Sequence, residues 1–266
     1  MYRNLLKNYL QIQNVCVIIY KTIKLDFWFK TTCFKSLFEV KPLERNTFEM
    51  YWSYYLSIEK MMKNRCFIVG AGEFAKKCFA PEENDYMIAA DGGYAYLKQM
   101  GIKPNLVVGD FDSLGYEPEH ENVVRHPVMK DDTDLALACE MAMEKGYETL
   151  YIYGATGGRL DHTLAAIQLL ARLAGKGISA FLFGDGYVMT AIAAGTSSFQ
   201  SGRAVLEFEA GYRGGISVFS NTTISKGVYE QGLLYTLCDA ELNSDVALGV
   251  SNSFTKEMAK ISVADG

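Results

Sequence analysis

The sequence predicts an α/β protein: a parallel-sheet α/β domain first, then a small C-terminal all-β domain. Three observations carry that prediction. From Arg65 to Phe183, short apolar runs alternate with stretches of helical period. Beyond Gly186 the helical period is gone and short alternating runs replace it. All 24 glycines lie after residue 60, so turn chemistry begins there. Strands alternating with helices imply a parallel sheet covered on both faces.

Cys66-Phe67-Ile68-Val69 is a first apolar strand ending in Gly70-Ala71-Gly72, and Tyr86 to Ala90 is a second ending in Asp91-Gly92-Gly93. Tyr94 to Met100 reads as a helix stopped by Gly101, and Leu106-Val107-Val108 is a strand ending in Gly109-Asp110. Asp131 to Lys145 reads as a helix that Thr133 or Asp132 caps and Gly146 ends. Leu150 to Tyr153 is the next strand, Leu160 to Ala174 an amphipathic helix closed by Gly175, and Ile178 to Phe183 a further strand. Short runs such as Ala204 to Phe208 and Gly215 to Phe219 then fill the all-β domain. The chain stops at Asp265-Gly266, a hairpin-turn dipeptide, and the expectation is that a partner strand is missing beyond it.

Residues 1–61 read as an N-terminal extension, 62–186 as the α/β domain and 187–266 as the β domain. The first 60 residues contain no glycine, one proline (Pro42) and both tryptophans, with nine basic and five acidic side chains. Two accounts stay open: an upstream extension outside the fold, or an aromatic, basic helical appendage.

Several function classes drop out early. A net charge of −5 gives no general basic surface for nucleic acid. The longest apolar run near the N-terminus, Val15 to Tyr20, is far too short to span a bilayer, and no secretory cleavage pattern is present. The six cysteines and three histidines fall into no zinc spacing, and reduced, mostly buried thiols in a cytoplasmic protein are expected.

The chemically loaded residues share one position, just past the C-terminal ends of the parallel strands, where open α/β sheets bind ligands. Asp91 follows one strand, and Asp110 and Asp112 the next. Asp131, Asp132 and Asp134 come after Val123 to His126, and Asp161 lies beyond Gly154 to Gly158. Crowded carboxylates repel unless a cation intervenes, and hard oxygen donors without His or Cys favour Mg²⁺. In extended backbone the two carboxylates of Asp110-Phe111-Asp112 would face one ion; alone, such a triplet also fits a solvated turn. Lys130 and Arg159 add positive charge, and Thr156-Gly157-Gly158-Arg159 opens into a helix whose bare N–H groups suit an anion. Gly70-Ala71-Gly72, with Ala75, begins like a dinucleotide fingerprint, but Asp91 runs into Gly92-Gly93 rather than closing a ribose-binding strand. No G-x-x-x-x-G-K-[ST] loop exists.

Four motifs occur in order: Asp91-Gly92-Gly93, Gly109-Asp110-Phe111-Asp112-Ser113, Lys130-Asp131-Asp132-Thr133-Asp134 and Gly157-Gly158-Arg159-Leu160-Asp161-His162. With Gly232 to Leu237 and Leu248-Gly249-Val250-Ser251-Asn252-Ser253-Phe254, they resemble the thiamine pyrophosphokinase family over residues 62–266. The resemblance implies a C-terminal β-sandwich, a homodimer with active sites between subunits, and transfer of pyrophosphate from ATP to thiamine. It implies Mg²⁺ on Asp110, Asp112 and Asp134, and places Asp91, Gly92, Gly93, Lys130, Thr133, Gly157, Gly158 and Arg159 at the ATP. It puts Asp161 near the reacting centre and in the thiamine pocket with Ser251 and Asn252. Asp161, a metal-bound carboxylate or no residue at all could serve as general base. Two rivals remain: a pyrophosphokinase acting on a pterin alcohol, and a silent thiamine or nucleotide sensor. A chain starting at Met62 is expected to fold, dimerise and turn over.

Overall fold

The computed structural model describes residues 14–20, 65–112, 114–125, 132–195 and 203–266. In chain order the strands and helices begin with β1 (Asn14–Tyr20), β2 (Arg65–Val69), β3 (Tyr86–Ala90), α1 (Gly93–Gln99), β4 (Leu106–Gly109) and β5 (Val123–Arg125). Next come α2 (Asp134–Glu144), β6 (Thr149–Tyr153), α3 (Leu160–Gly175), β7 (Ser179–Gly184) and β8 (Tyr187–Ala193). The rest is β9 (Ala204–Phe208), β10 (Gly215–Ser220), β11 (Ile224–Gln231), β12 (Leu237–Asn243), β13 (Asn252–Ser253) and β14 (Ala259–Val263). The fold is mixed α/β, with a parallel-sheet unit and further antiparallel sheets, as the alternation of elements predicts.

The chain divides into two compact units. One comprises residues 23–160 and 183–185. Its strands lie in the order β6-β2-β3-β4-β5, every pair parallel. Their sequences explain the burial. RCFIV, YMIAA and LVVG are apolar on successive residues, and Cys66, Ile68, Val69, Ile88, Val107 and Val108 are fully buried. Each such Val or Ile contributes about 1.5–3 kcal/mol through burial. Arg65 fixes the lower end: its Nε and Nη2 donate to Asp85 Oδ1 and Oδ2 at 2.8 and 2.7 Å, tying β2 to the entry of β3. Helix α1 packs on β2 and β3, and α2 on β2, β3 and β4. Helix α2 begins at Asp134 rather than at Asp131, because the Thr133 side chain accepts from the Ala136 N–H at 3.2 Å and ends the non-helical chain there. Asp131 lies outside the described residues.

The other unit comprises residues 1–22, 161–182 and 186–266. In one of its sheets β13, β10, β1, β8 and β7 are successive neighbours; a four-stranded antiparallel sheet runs β12-β11-β14-β9. The hydroxyls of Ser220 on β10 and Ser225 on β11 meet at 2.8 Å. Phe208, Ile216, Val218, Val228, Ile261 and Val263 form the buried core. The sequence draws the domain boundary after residue 186, whereas most of α3 and β7 belongs to this β-rich unit. The turn Asp185-Gly186, with Gly186 at φ 80°, folds β7 and β8 into neighbours, and Thr190 Oγ1 donates to Ala180 O at 2.8 Å.

The sequence also places residues 1–61 outside the catalytic fold. Strand β1, within that stretch, pairs antiparallel with both β8 and β10, Val17 standing opposite Thr190 and Val218. Its sequence, NVCVIIY, is rich in β-branched residues and carries no glycine or proline, so it suits a strand with two neighbours. Residues 21–61 lie outside the described residues. Among the described residues no helix is long and apolar enough to cross a membrane.

Candidate active site

The acidic residues gather where β3 and β4 end. Asp91, just past β3, donates its N–H to Val108 O of β4 at 2.7 Å and sits in the left-handed region at φ 48°. Gly109 lies directly against it, so close that a side chain there would meet the Asp91 Cα at 3.1 Å. Phe111 is left-handed at φ 64° and buried, which turns the chain between Asp110 and Asp112. The Asp112 N–H donates to Asp110 Oδ1 at 3.2 Å, closing that turn. One carboxylate oxygen from each of Asp91, Asp110 and Asp112 lies within 4.8 Å of the others.

This corrects the sequence reading in its geometry. Asp110 and Asp112 do not face one side of an extended strand. They converge because Phe111 buries its ring and takes a conformation costing on the order of 1 kcal/mol for a non-glycine residue. The third member of the group is Asp91, and Asp134, the first residue of α2, is not in it. Sequence offered no signal for the choice, since it depends on two neighbouring strand ends meeting across the sheet.

The remaining predicted residues take distinct positions. Gly92 precedes α1 and Gly93 opens it, and a Cβ at Gly93 would sit 1.8 Å from Val69 O, so only glycine lets α1 start this close to β2. Thr133 caps α2, and Asp132 Oδ1 accepts from the Thr133 N–H at 3.3 Å. Lys130 and Ser113 lie outside the described residues. Gly157 and Gly158 are both left-handed, at φ 82° and 63°, and Gly158 and Arg159 are exposed.

The rejected dinucleotide fingerprint now has a physical account. The Gly72 N–H donates to Gly154 O and the Glu73 N–H to Thr156 O, both at 2.7 Å, so the loops after β2 and β6 run backbone against backbone. A Cβ on Gly70 would meet Gly154 O at 2.6 Å, and one on Gly154 would meet Gly70 O at 2.3 Å. These glycines serve that approach, and the chain beyond them forms a three-residue 3-10 turn, Lys76–Cys78, rather than a long helix.

In the β-rich unit, Asp161 stands exposed in the first turn of α3, its Oδ1 accepting from the His162 N–H at 3.0 Å. Ser251 is exposed and left-handed at φ 63°, with its N–H donating to Ser217 Oγ at 3.1 Å. Asn252 is its opposite, only 5% exposed. The Asn252 Oδ1 accepts from the N–H groups of Tyr235 and Ser253, both at 2.9 Å. Its Nδ2 donates to Tyr235 O at 2.6 Å and to Glu230 Oε2 at 2.8 Å. Glu230 escaped the sequence reading. Its alternation with the inward Val228 on β11 was the available signal, because it puts a carboxylate on the buried face. Burial pushes the Glu230 carboxyl above the ordinary range, a shift the hydrogen bond from Asn252 partly opposes.

Comparison with known proteins bears on both units. The family model described as thiamin pyrophosphokinase, catalytic domain, matches residues 80–182, which contain the whole carboxylate group. Thiamine pyrophosphokinase of Bacillus subtilis (strain 168) is 39% identical over 95 residues, 34% of this chain and 44% of the relative. Over residues 80–182 the chain is similar to the catalytic domain of the thiamin pyrophosphokinase family. Thiamin pyrophosphokinase 1 of Caenorhabditis elegans is 25% identical over 180 residues, 64% of this chain and 72% of its own length. The crystal structure of thiamine pyrophosphokinase from Bacillus subtilis superposes with a TM-score of 0.53 at 25% identity, covering 76% of this chain and 95% of that one. That from Geobacillus thermodenitrificans, at 21% identity and a TM-score of 0.54, covers 76% and 94% and supports the fold. Alignment with the first-named relative thus spans less than half of that relative's length. Among the described residues, Asp91, Asp110 and Asp112 form the group that could hold a metal ion, and it lies within the stretch that matches the family model.

Proposed function

We propose that this chain transfers the pyrophosphoryl group of ATP to the hydroxyl of thiamine, giving thiamine diphosphate and AMP. The observation that carries the reading is the convergence of Asp91, Asp110 and Asp112 at two strand ends, within the stretch that matches the family's catalytic model. In the reaction the thiamine hydroxyl oxygen forms a bond to the β-phosphorus of ATP. The bond from that phosphorus to the α-bridging oxygen breaks, and AMP leaves with the electron pair.

Such transfers leave a protein little covalent work, so catalysis rests on positioning and charge. Mg²⁺ fits the donor set, three carboxylates with no imidazole or thiolate among them. Asp91, Asp110 and Asp112 would hold it, with Asp134 in support, and when bound it supplies positive charge for the phosphate oxygens. Arg159, Lys130 and the N–H groups around Gly157 and Gly158 would bind phosphates, and Gly92, Gly93 and Thr133 would shape the same cradle. The hydroxyl proton passes to Asp161, to another carboxylate or to water. Ser251 would present its hydroxyl to thiamine, with Asn252 beside it.

The same reading includes a homodimer with active sites between subunits. Its support is exposed apolar surface in the β-rich unit, where Leu234, Tyr235, Val246, Leu248 and Met258 are each more than half exposed. A cytoplasmic location is supported by the cysteine pattern, which forms no secreted framework. The test is direct: the chain is mixed with ATP, Mg²⁺ and thiamine, and nucleotide and thiamine products are separated. Equimolar AMP and thiamine diphosphate are expected. ADP with thiamine monophosphate, or no thiamine product, would overturn the reading.

A further inference from the structure

Asn252 cannot act on a ligand through its side chain as placed. A carboxamide offers two N–H donors and two acceptor lone pairs, and all four are taken by Glu230 Oε2, Tyr235 O, Tyr235 N and Ser253 N. The pattern joins three places: β11 through Glu230, the 232–236 loop through Tyr235, and the strip carrying Ser251 through Ser253. An amide that donates to one side and accepts on the other is orientation-sensitive, because flipping it sets donors against donors. Of the groups that hold it, only Glu230 is a side chain. The carboxylate is 1% exposed, and its second oxygen, Oε1, is buried with no hydrogen-bond partner among the described residues.

Burying a carboxylate is costly unless a purpose-built partner offsets it. A Leu or Val on this apolar face would pack at lower cost: its register partners are Ile261 on β14 and Leu237 on β12, and Ile261 and Val228, two residues back on its own strand, are fully buried. What Glu230 adds over an aliphatic side chain is an acceptor for Asn252. The consequence reaches the surface one residue away. Ser251 is left-handed and exposed, and its backbone is held between the Ser217 hydroxyl and the Asn252 amide network. Tyr235, whose N–H and C=O both bond Asn252, is 65% exposed.

We propose that Glu230 is a positioning residue for the thiamine site: through Asn252 it fixes the backbone that presents Ser251 and Tyr235. The inference rests on the functional reading above, in which this region binds thiamine. Glu230 touches no substrate; it orients the amide that orients the surface.

The test compares Glu230→Leu with Glu230→Gln in the full chain. Glutamine keeps an acceptor for the Asn252 N–H, and leucine removes it at similar volume. For Glu230→Leu the expected result is a thiamine KM raised about tenfold, with kcat and the KM for Mg²⁺-ATP within about twofold, because the change acts only on the backbone that presents Ser251 and Tyr235. Glu230→Gln should bring the thiamine KM back to within about threefold of the native chain. In the Asn252→Ala background, Glu230→Leu should add little, since the two act through one link. A lowered Tm with an unchanged thiamine KM would make Glu230 a stability residue only and overturn the proposal. So would equal damage from Leu and Gln, or full additivity with Asn252→Ala. If Glu230→Leu fails to fold, Glu230→Asp, which withdraws the carboxylate by one methylene, carries the same readouts. A native chain that neither turns over nor binds thiamine would instead overturn the function, and this inference with it; the native control separates the two failures.

Discussion

Replacing Asp112 by asparagine should stabilise the metal-free protein while crippling the enzyme, and the two effects have one cause. The Asp91, Asp110 and Asp112 oxygens lie within 4.8 Å of one another. At that distance two unit charges repel by about 0.9 kcal/mol in water-like surroundings and about 3.5 kcal/mol at an effective dielectric constant of 20. Asp112 is exposed, so the lower figure applies, and it takes part in two such pairs. The turn's hydrogen bond comes from the Asp112 backbone N–H and survives the substitution. Asp112→Asn should therefore gain about 1–2 kcal/mol in EDTA. For a chain of this size each 1 kcal/mol shifts Tm by roughly 2–4 °C. In Mg²⁺ the order reverses: the native chain gains binding energy that the variant lacks. The variant's kcat should fall by about a hundredfold or more, since charge stabilisation dominates such transfers. Melts with and without Mg²⁺ beside an AMP assay test all three. A variant less stable in EDTA, or one as responsive to Mg²⁺ as the native chain, would refute the shared-ion argument.

Three further outcomes are expected. Deleting residues 1–61 removes β1 and opens the facing edges of β8 and β10, reversing the expectation drawn from composition; a lower Tm and concentration-dependent aggregation by light scattering should result, and unchanged melting would return the segment to the outside of the fold. Ser251→Ala should raise the thiamine KM by roughly three- to tenfold, the worth of one hydrogen bond, with no change in Tm beyond about 2 °C. Because burial holds the Glu230 carboxyl above the ordinary 4.5, protonation favours the folded state. Its contribution is whole below about pH 4.5 and is lost as pH rises through the folded value; Tm-against-pH curves of Glu230→Gln should lack that decline.

Most of the architecture was legible because it is written in local pattern. The strands of the parallel sheet are continuous apolar runs, and the helices stop at glycines, so period and punctuation were sufficient. Two kinds of feature were not. Residues joined only by the fold, such as Asp91 with Asp110 and Asp112, carry no shared sequence spacing. Backbone strain is equally silent: nothing in Asp110-Phe111-Asp112 announces a left-handed phenylalanine, and an extended triplet is the natural assumption. Strand β1 was missed for a different reason. The scarcity of glycine and proline around it argued against membership in a compact unit, yet a strand needs neither. Asn252 was found by resemblance, and Glu230, which holds it, was passed over as one charge among many on a half-exposed strand.

The backbone lock between the loops after β2 and β6 has a consequence for how this protein could be changed. Gly70 and Gly154 each occupy the space in which the other's side chain would lie, so a change at one is answerable only by moving both loops. That stretch is closed to gradual substitution, by selection or in a library. Gly158, a few residues on, has nothing within 4 Å of where its side chain would stand. Its left-handed backbone, φ 63°, would admit asparagine or aspartate at small cost and most others at more. Diversification aimed at what this rim accepts should therefore start at position 158, where a new side chain would have room to reach a ligand without disturbing the loops behind it.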